Sequence, residues 1–212
     1  MLHLCSCHDE VRGDTLKAIV MIIFALVAMT TSLPAQELPV AKSASDFAIR
    51  DMRGQLRTYR NLKGRVTVVM FFSTRCPMSN AFNYRRNVLY HDFHNRVRFI
   101  VVDPNFNESL DEVRTYAKET GFDFPVYQDV DNQLTGRLGA RSTTDTFVLD
   151  ATAVTRYHGY IEDAPNPART TKQGLRLAIN AVLAGQPVAT PEARAVGCAI
   201  RRPRQALPEA GR

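Results

Sequence analysis

The apolar positions of the chain fall into runs of two kinds. Val66-Thr67-Val68-Val69-Met70-Phe71-Phe72 and Val97-Arg98-Phe99-Ile100-Val101-Val102 are nearly continuous, the pattern of strands covered on both faces. From Pro77 to about Phe93 the spacing changes to a helical period, with Phe82, Val88, Leu89 and Phe93 among Asn and Arg. Pro77 stands where a first helical turn tolerates it. Ahead of these runs, residues 46–51 alternate apolar and polar and 52–55 supply a turn, which predicts a short hairpin. Beyond them the pattern predicts a helix over 109–120 stopped by Gly121, an extended piece at 124–127 and a short helix over 132–138. Strands follow over 146–150 and 154–160, joined tightly enough to pair antiparallel, and a last amphipathic helix covers 171–184 up to Gly185. No internal repeat interrupts this order.

A βαβα run predicts that the first two long strands lie parallel with a right-handed crossover. Adding the strand pair and the last helix gives an α/β protein on the thioredoxin plan, a central mixed sheet with helices on both faces. In that plan the reactive position is the junction of the first buried strand and the helix after it. Cys76 occupies it.

The first residues change the cysteine count. Residues 18–29 (AIVMIIFALVAM) follow Arg12 and Lys17 and precede Thr-Thr-Ser-Leu-Pro-Ala. This is a basic flank, a short apolar core and small residues, below the roughly 20 apolar residues of a comfortable span. Residues 1–35 are read as a signal peptide cut near Ala35, with an uncleaved anchor as the alternative. Either way the body lies outside the cytoplasm, periplasmic or secreted. Residues 36–45 read as a linker, 46–186 as one domain and 187–212 as a flexible basic tail. Cys5 and Cys7 would leave with the signal, so Cys76 and Cys198 remain. Two cysteines in an exported chain make a structural disulfide or a redox pair.

A helix start offers unpaired N–H groups that stabilise a thiolate, and Arg75 adds positive charge beside Cys76. The thiolate is the nucleophile of disulfide exchange and peroxide reduction. Ser79 stands where a dithiol enzyme would carry its second cysteine, so the local motif is Cys-Pro-Met-Ser. Cys198 is then a resolving thiol reaching Cys76 from the tail, or an independent thiol.

The motifs that accumulate are Ser45-Asp46-Phe47 with Gly54, Phe71-Phe72-Ser-Thr-Arg-Cys76-Pro77, Phe124-Pro125 with Asp129, Thr143-Thr144-Asp145-Thr146-Phe147-Val148-Leu149-Asp150 and Tyr157-His158-Gly159-Tyr160-Ile161-Glu162-Asp163. From Asp46 to Ile200 the chain resembles the bacterial redoxins of the alkyl hydroperoxide reductase and thiol-specific antioxidant group. Its close, with Gly197-Cys198-Ala199-Ile200, is similar to an exported subgroup ending in a Gly-Cys pair. The chain departs from the group where Thr144 replaces the usual cis proline after Thr143, which predicts a trans bond there. It departs again where Val69 and Ser73 stand for the Pro and Thr of the peroxidase pattern. The resemblance implies a thiol oxidoreductase, peroxiredoxin-like and antioxidant in type. Cys76 is its nucleophile, Ser73 and Arg75 polarise thiolate and target, Thr143 and Thr144 shape the facing wall, and Cys198 or an outside thiol completes the cycle.

The expected partners are a disulfide or hydroperoxide and an external thiol reductant, with the membrane met only through an uncleaved N-terminus. The net charge of +6 includes the basic tail, and no stripe of Lys and Arg interleaved with aromatics suggests nucleic acid. No phosphate loop, Ser-His-Asp set or haem motif is present, so no tightly bound cofactor or metal is expected. His91 and His94, three apart, read as a solvated helix face. The rival reading is a redox-inert binding module on this scaffold, or a copper-handling protein using Cys76, Cys198 and His158.

Overall fold

The computed structural model describes residues 47–203. The segments read as a signal peptide and a linker, and the last residues of the tail, lie outside them. Seven strands, β1 (Ala48–Asp51), β2 (Leu56–Thr58), β3 (Thr67–Phe71), β4 (Arg98–Asp103), β5 (Val126–Gln128), β6 (Thr146–Leu149) and β7 (Thr155–Gly159), form one sheet in the order β2-β1-β5-β4-β3-β6-β7. β3 runs parallel to β4 and antiparallel to β6, while β6 and β7 form the expected hairpin. The helices are α1 (Tyr59–Leu62), α2 (Pro77–Asn80), α3 (Asn83–Phe93), α4 (Leu110–Glu119), α5 (Gln133–Leu138) and α6 (Gly174–Leu183).

Every residue of β3 is buried because both faces of the sheet are covered. Val68 and Met70 pack with Leu89 and Phe93 of α3, Val113 of α4 and Leu175 and Ile179 of α6. Val69 and Phe71 point the other way, to Tyr59 of α1 and Leu134 and Leu138 of α5. Each such side chain removed from water contributes about 1.5–3 kcal/mol, so the strand with no polar face is the one that both layers fix.

Two expectations are corrected. The single helix predicted from Pro77 to Phe93 is two, with Ala81 and Phe82 between them. The carbonyl of Ser79, which an unbroken helix would give to the N–H of Asn83, accepts instead from the N–H of Phe82 at 3.0 Å and from Arg86 Nη1 at 2.8 Å. The stretch read as a flexible tail is also hydrogen-bonded to the body as far as Arg202. The N–H of His158 donates to the Pro191 carbonyl, the N–H of Ala193 to His158 and the N–H of Phe106 to Arg201, and Ser142 and Ala199 form an antiparallel bridge. Pro191 lacks an N–H but still anchors the segment through its carbonyl.

The topology that builds the sheet also positions the site. β6 lies beside β3 and runs against it, so the loop entering β6 sits next to the end of β3, where the N–H of Phe71 donates to the Asp145 carbonyl at 3.0 Å. The chain leaving β3 reaches Cys76 within five residues.

Candidate functional site

Cys76 is the N-cap residue of α2. Its sulfur accepts the N–H of Ser79 at 3.4 Å, and Pro77 opens the helix. It is disulfide-bonded to Cys198, with Cα atoms 6.0 Å apart across 122 residues of sequence. The two halves of the bond differ in exposure: Cys76 is 2% exposed and Cys198 lies at the surface.

Cys198 is delivered by a strand-like segment laid against the loop that enters β6. The N–H of Thr143 donates to the Cys198 carbonyl at 2.9 Å, and the N–H of Ile200 to the Arg141 carbonyl at 3.0 Å. Thr143 and Thr144 are buried in this loop, and no cis peptide bond occurs among the described residues. Thr144 Oγ1 meets Ser142 Oγ at 2.9 Å, directly under Gly197. A Cβ added at Gly197 would lie 2.5 Å from Thr144 Oγ1 and 2.6 Å from Ser142 Oγ, so only glycine lets the segment approach this closely. The Asp145 carboxylate accepts the N–H groups of Arg141 and Ser142 and holds the loop.

Ser73 and Arg75 are placed otherwise than the sequence suggests. Ser73 Oγ donates to Glu108 at 2.6 Å and accepts the N–H of Arg75, so its hydroxyl is engaged in shaping the loop before the cysteine. Arg75 is exposed and forks onto Glu112, with Nε and Nη2 at 2.7 and 2.6 Å. Arg75, the leading cause, holds the Glu112 carboxyl below its ordinary range. The charge of Arg75 is therefore committed to α4.

A buried guanidinium reaches the short helix that Cys76 caps: it belongs to Arg86, which is 0% exposed. Its Nη2 donates to the Phe71 carbonyl and to Ser79 Oγ, and its Nη1 to Ser79 O and Asn83 Oδ1. Burial pushes it down to about 9, so it stays charged at neutral pH with no carboxylate against it among the described residues. A signal for it existed in the sequence. Phe82, Leu89 and Phe93 define the buried stripe of the helix, and Arg86 occupies the remaining position of that stripe, where an arginine must serve buried acceptors.

Glu108, 3% exposed, was also missed. Its carboxylate receives Ser73 Oγ, Thr74 N, Thr74 Oγ1 and Asn105 Nδ2. Beside it Asp103 is pushed up to about 8, by burial first and then by the charge of Glu108. Asn105 joins the pair to the tail: it donates to Asp103 and Glu108 and accepts the N–H of Arg201 at 2.8 Å.

No three His, Cys, Asp or Glu among the described residues converge to hold a metal ion. His158 stacks on Phe147 at 4.3 Å and faces Asp145 at 3.7 Å. His91 pairs with Asp123 at 2.8 Å, and His94 turns back onto the carbonyls of its own helix.

A thioredoxin-like sheet with a half-buried disulfide at the junction of β3 and α2 defines the redoxin class. The chain belongs to the AhpC/TSA family, whose model matches residues 40–163. It is 27% identical over 116 residues to thiol-disulfide oxidoreductase ResA of Bacillus subtilis (strain 168), a match that spans 54% of this chain and 64% of that relative's length. A hypothetical protein of Sinorhizobium meliloti 1021 superposes with a TM-score of 0.72 at 26% identity, covering 80% of this chain and 98% of the other. A thioredoxin-like protein of Aeropyrum pernix shares the fold, with a TM-score of 0.51 at 14% identity over 84% of this chain and 99% of that one.

Proposed function

We propose that the chain is a thiol-disulfide oxidoreductase working outside the cytoplasm, with Cys76 as nucleophile and Cys198 as its resolving partner. The observation that carries this reading is the disulfide joining a buried, N–H-capped Cys76 to a surface Cys198. The apolar segment at 18–29, preceded by Lys17 and Arg12, supports the compartment, and the named ResA relative supports the reaction class.

In the reduced protein the Cys76 thiolate is favoured by the Ser79 N–H and by the Arg86 charge bonded to Ser79. It attacks one sulfur of a substrate disulfide, forming a mixed disulfide and releasing the other sulfur as thiolate. Cys198 then attacks Cys76 Sγ, closing the internal disulfide and freeing the reduced substrate. With the tail lifted, the N–H of Thr143 is available to a substrate strand. Ser79 cannot resolve the mixed disulfide, so resolution falls to residue 198.

Hydroperoxide reduction is the second reading, favoured by the family match. There the Cys76 thiolate takes the terminal peroxide oxygen to become a sulfenic acid, releasing water or an alcohol. Cys198 condenses with the sulfenic acid and releases water.

Turnover of insulin disulfides and of hydrogen peroxide by wild type, Cys76→Ser and Cys198→Ser under dithiothreitol tests the reading. Cys76→Ser is expected to abolish turnover, and Cys198→Ser to trap mixed disulfides. Full activity in Cys76→Ser would overturn it.

A further inference from the structure

Both arms of the disulfide hang on one buried cluster. Residues 73 and 74, just ahead of Cys76, are held by the Glu108 carboxylate, which accepts Ser73 Oγ, Thr74 N and Thr74 Oγ1, each at 2.6 Å. Residue 201, three beyond Cys198, is held by Asn105, whose Oδ1 accepts the N–H of Arg201 at 2.8 Å. Asn105 is itself seated on the acids. Its Nδ2 donates to Asp103 Oδ1 at 2.8 Å and to Glu108 Oε1 at 3.0 Å, and its backbone N–H to Asp103 Oδ1 at 2.9 Å. An amide whose NH2 faces two carboxyl groups has one orientation, with its oxygen turned to the tail. Asn105 is 1% exposed, so water is a poor substitute for the Arg201 N–H.

The second backbone group of Arg201 is used on the same loop, where its carbonyl accepts the N–H of Phe106 at 3.1 Å. This anchor lies apart from the one at Cys198 itself. The Cys198 carbonyl and the Ile200 N–H pair with Thr143 and Arg141 in the loop entering β6, the backbone that a substrate strand would take in the mixed disulfide. Residues 105–106 follow β4 and are no part of that loop. When residues 197–200 lift off, the bond at Arg201 can therefore persist, and three residues of chain, about 10 Å at full extension, tether Cys198 to it. A short tether keeps the effective concentration of Cys198 at Cys76 high; without it the thiol samples the reach of a longer free segment.

Resting on the oxidoreductase reading, we propose that Asn105 is a positioning residue for the resolving step. Seated on the carboxylate that also holds the loop before Cys76, it keeps residue 201 pinned while a substrate occupies Cys76, so that Cys198 swings back from a fixed point. Among the described residues its side chain bonds to neither sulfur and acts through the Arg201 N–H. Cys198 Sγ then bonds to Cys76 Sγ as the bond from Cys76 to the substrate sulfur breaks, and the electron pair of that bond leaves with the substrate as thiolate.

The test uses the reduced full chain with Cys5→Ser and Cys7→Ser, so that Cys76 and Cys198 are its only thiols. The probe is an extended peptide carrying one cysteine as its thionitrobenzoate disulfide. Release of thionitrobenzoate times the attack, and mass spectrometry of acid-quenched samples times the decay of the peptide adduct into the internal disulfide. Asn105→Ala removes the acceptor, Arg201→Pro removes the N–H and leaves the buried cluster whole, and Arg201→Ala keeps both. One such hydrogen bond corresponds to about two- to tenfold, so Asn105→Ala and Arg201→Pro should each slow closure by that much. The double variant should be no slower than either alone, and Arg201→Ala should close at the wild-type rate, with thionitrobenzoate release unchanged throughout. Closure at the wild-type rate in Arg201→Pro, or slowing in the double variant equal to the product of the two singles, overturns the inference while leaving Cys198 as the resolving thiol. A wild-type adduct that never gives way to the internal disulfide overturns the resolving reading as well.

Discussion

Asp103 shows what burial does to a single group beside the site. Its folded carboxyl is held up to about 8, against about 3.9 in an unfolded chain. Between these values the folded chain binds more protons than the unfolded one, so this group's contribution to stability falls as pH rises through that window and levels off above it. Asp103→Asn keeps the acceptor oxygen for Asn105 and removes the titration. Denaturant unfolding from pH 5 to 9 should therefore show a flatter profile, with the variant gaining on wild type towards pH 8. Arg86 bonds to Ser79, whose N–H caps the Cys76 sulfur. In a Cys198→Ser background, Arg86→Gln should raise the Cys76 pKa, read from alkylation rate against pH. It should also cost about 1–3 kcal/mol of stability if Phe71 O is left unmet, while Ser79 O keeps the Phe82 N–H and Ser79 Oγ the Ser73 N–H; an unchanged pKa would remove Arg86 from the site.

Among the elements, the one that decides access is the segment ending in Gly197-Cys198, because it covers Cys76 and occupies the N–H of Thr143. Gly197→Ala puts a methyl into Thr144 and Ser142, which costs the docked, oxidised form about 1–3 kcal/mol and the lifted form nothing. The reduction potential should rise by roughly 20–60 mV, measured in glutathione buffers. This segment also marks the limit of sequence reading. The strands and most helices were legible because β3 and β4 are buried on both faces and the helices repeat at a helical period. The tail has no periodicity: its order comes from single hydrogen bonds to residues 105, 106, 140, 141, 143 and 158, which lie from about 33 to 96 positions away. Ser73 and Arg75 illustrate the same limit. Proximity in sequence to Cys76 suggested a role on the sulfur, while Glu108 and Glu112 from the neighbouring loop and helix claim both side chains. Arg86 broke the apolar stripe and was readable; Glu108 left no pattern.

For the whole molecule, the disulfide ties the end of the described chain to its centre across 122 residues. Neither apolar core contains Cys198, and only Ile200 from the segment around it packs against one. Reduction should therefore leave the sheet intact while loosening the tail. Loss of a cross-link this long lowers global stability by up to about 4–5 kcal/mol, and hydrogen exchange should quicken at the N–H groups of Thr143 and Ile200 with little change in β3 and β4. The central claim is that this cross-link is a working redox couple rather than a structural staple. The most direct measurement is its reduction potential, from mass-resolved alkylation of the full chain in graded dithiothreitol buffers. A reversible two-electron transition of Cys76 and Cys198 together, above about −300 mV, is the predicted result; a bond that stays closed well below that value would contradict the account.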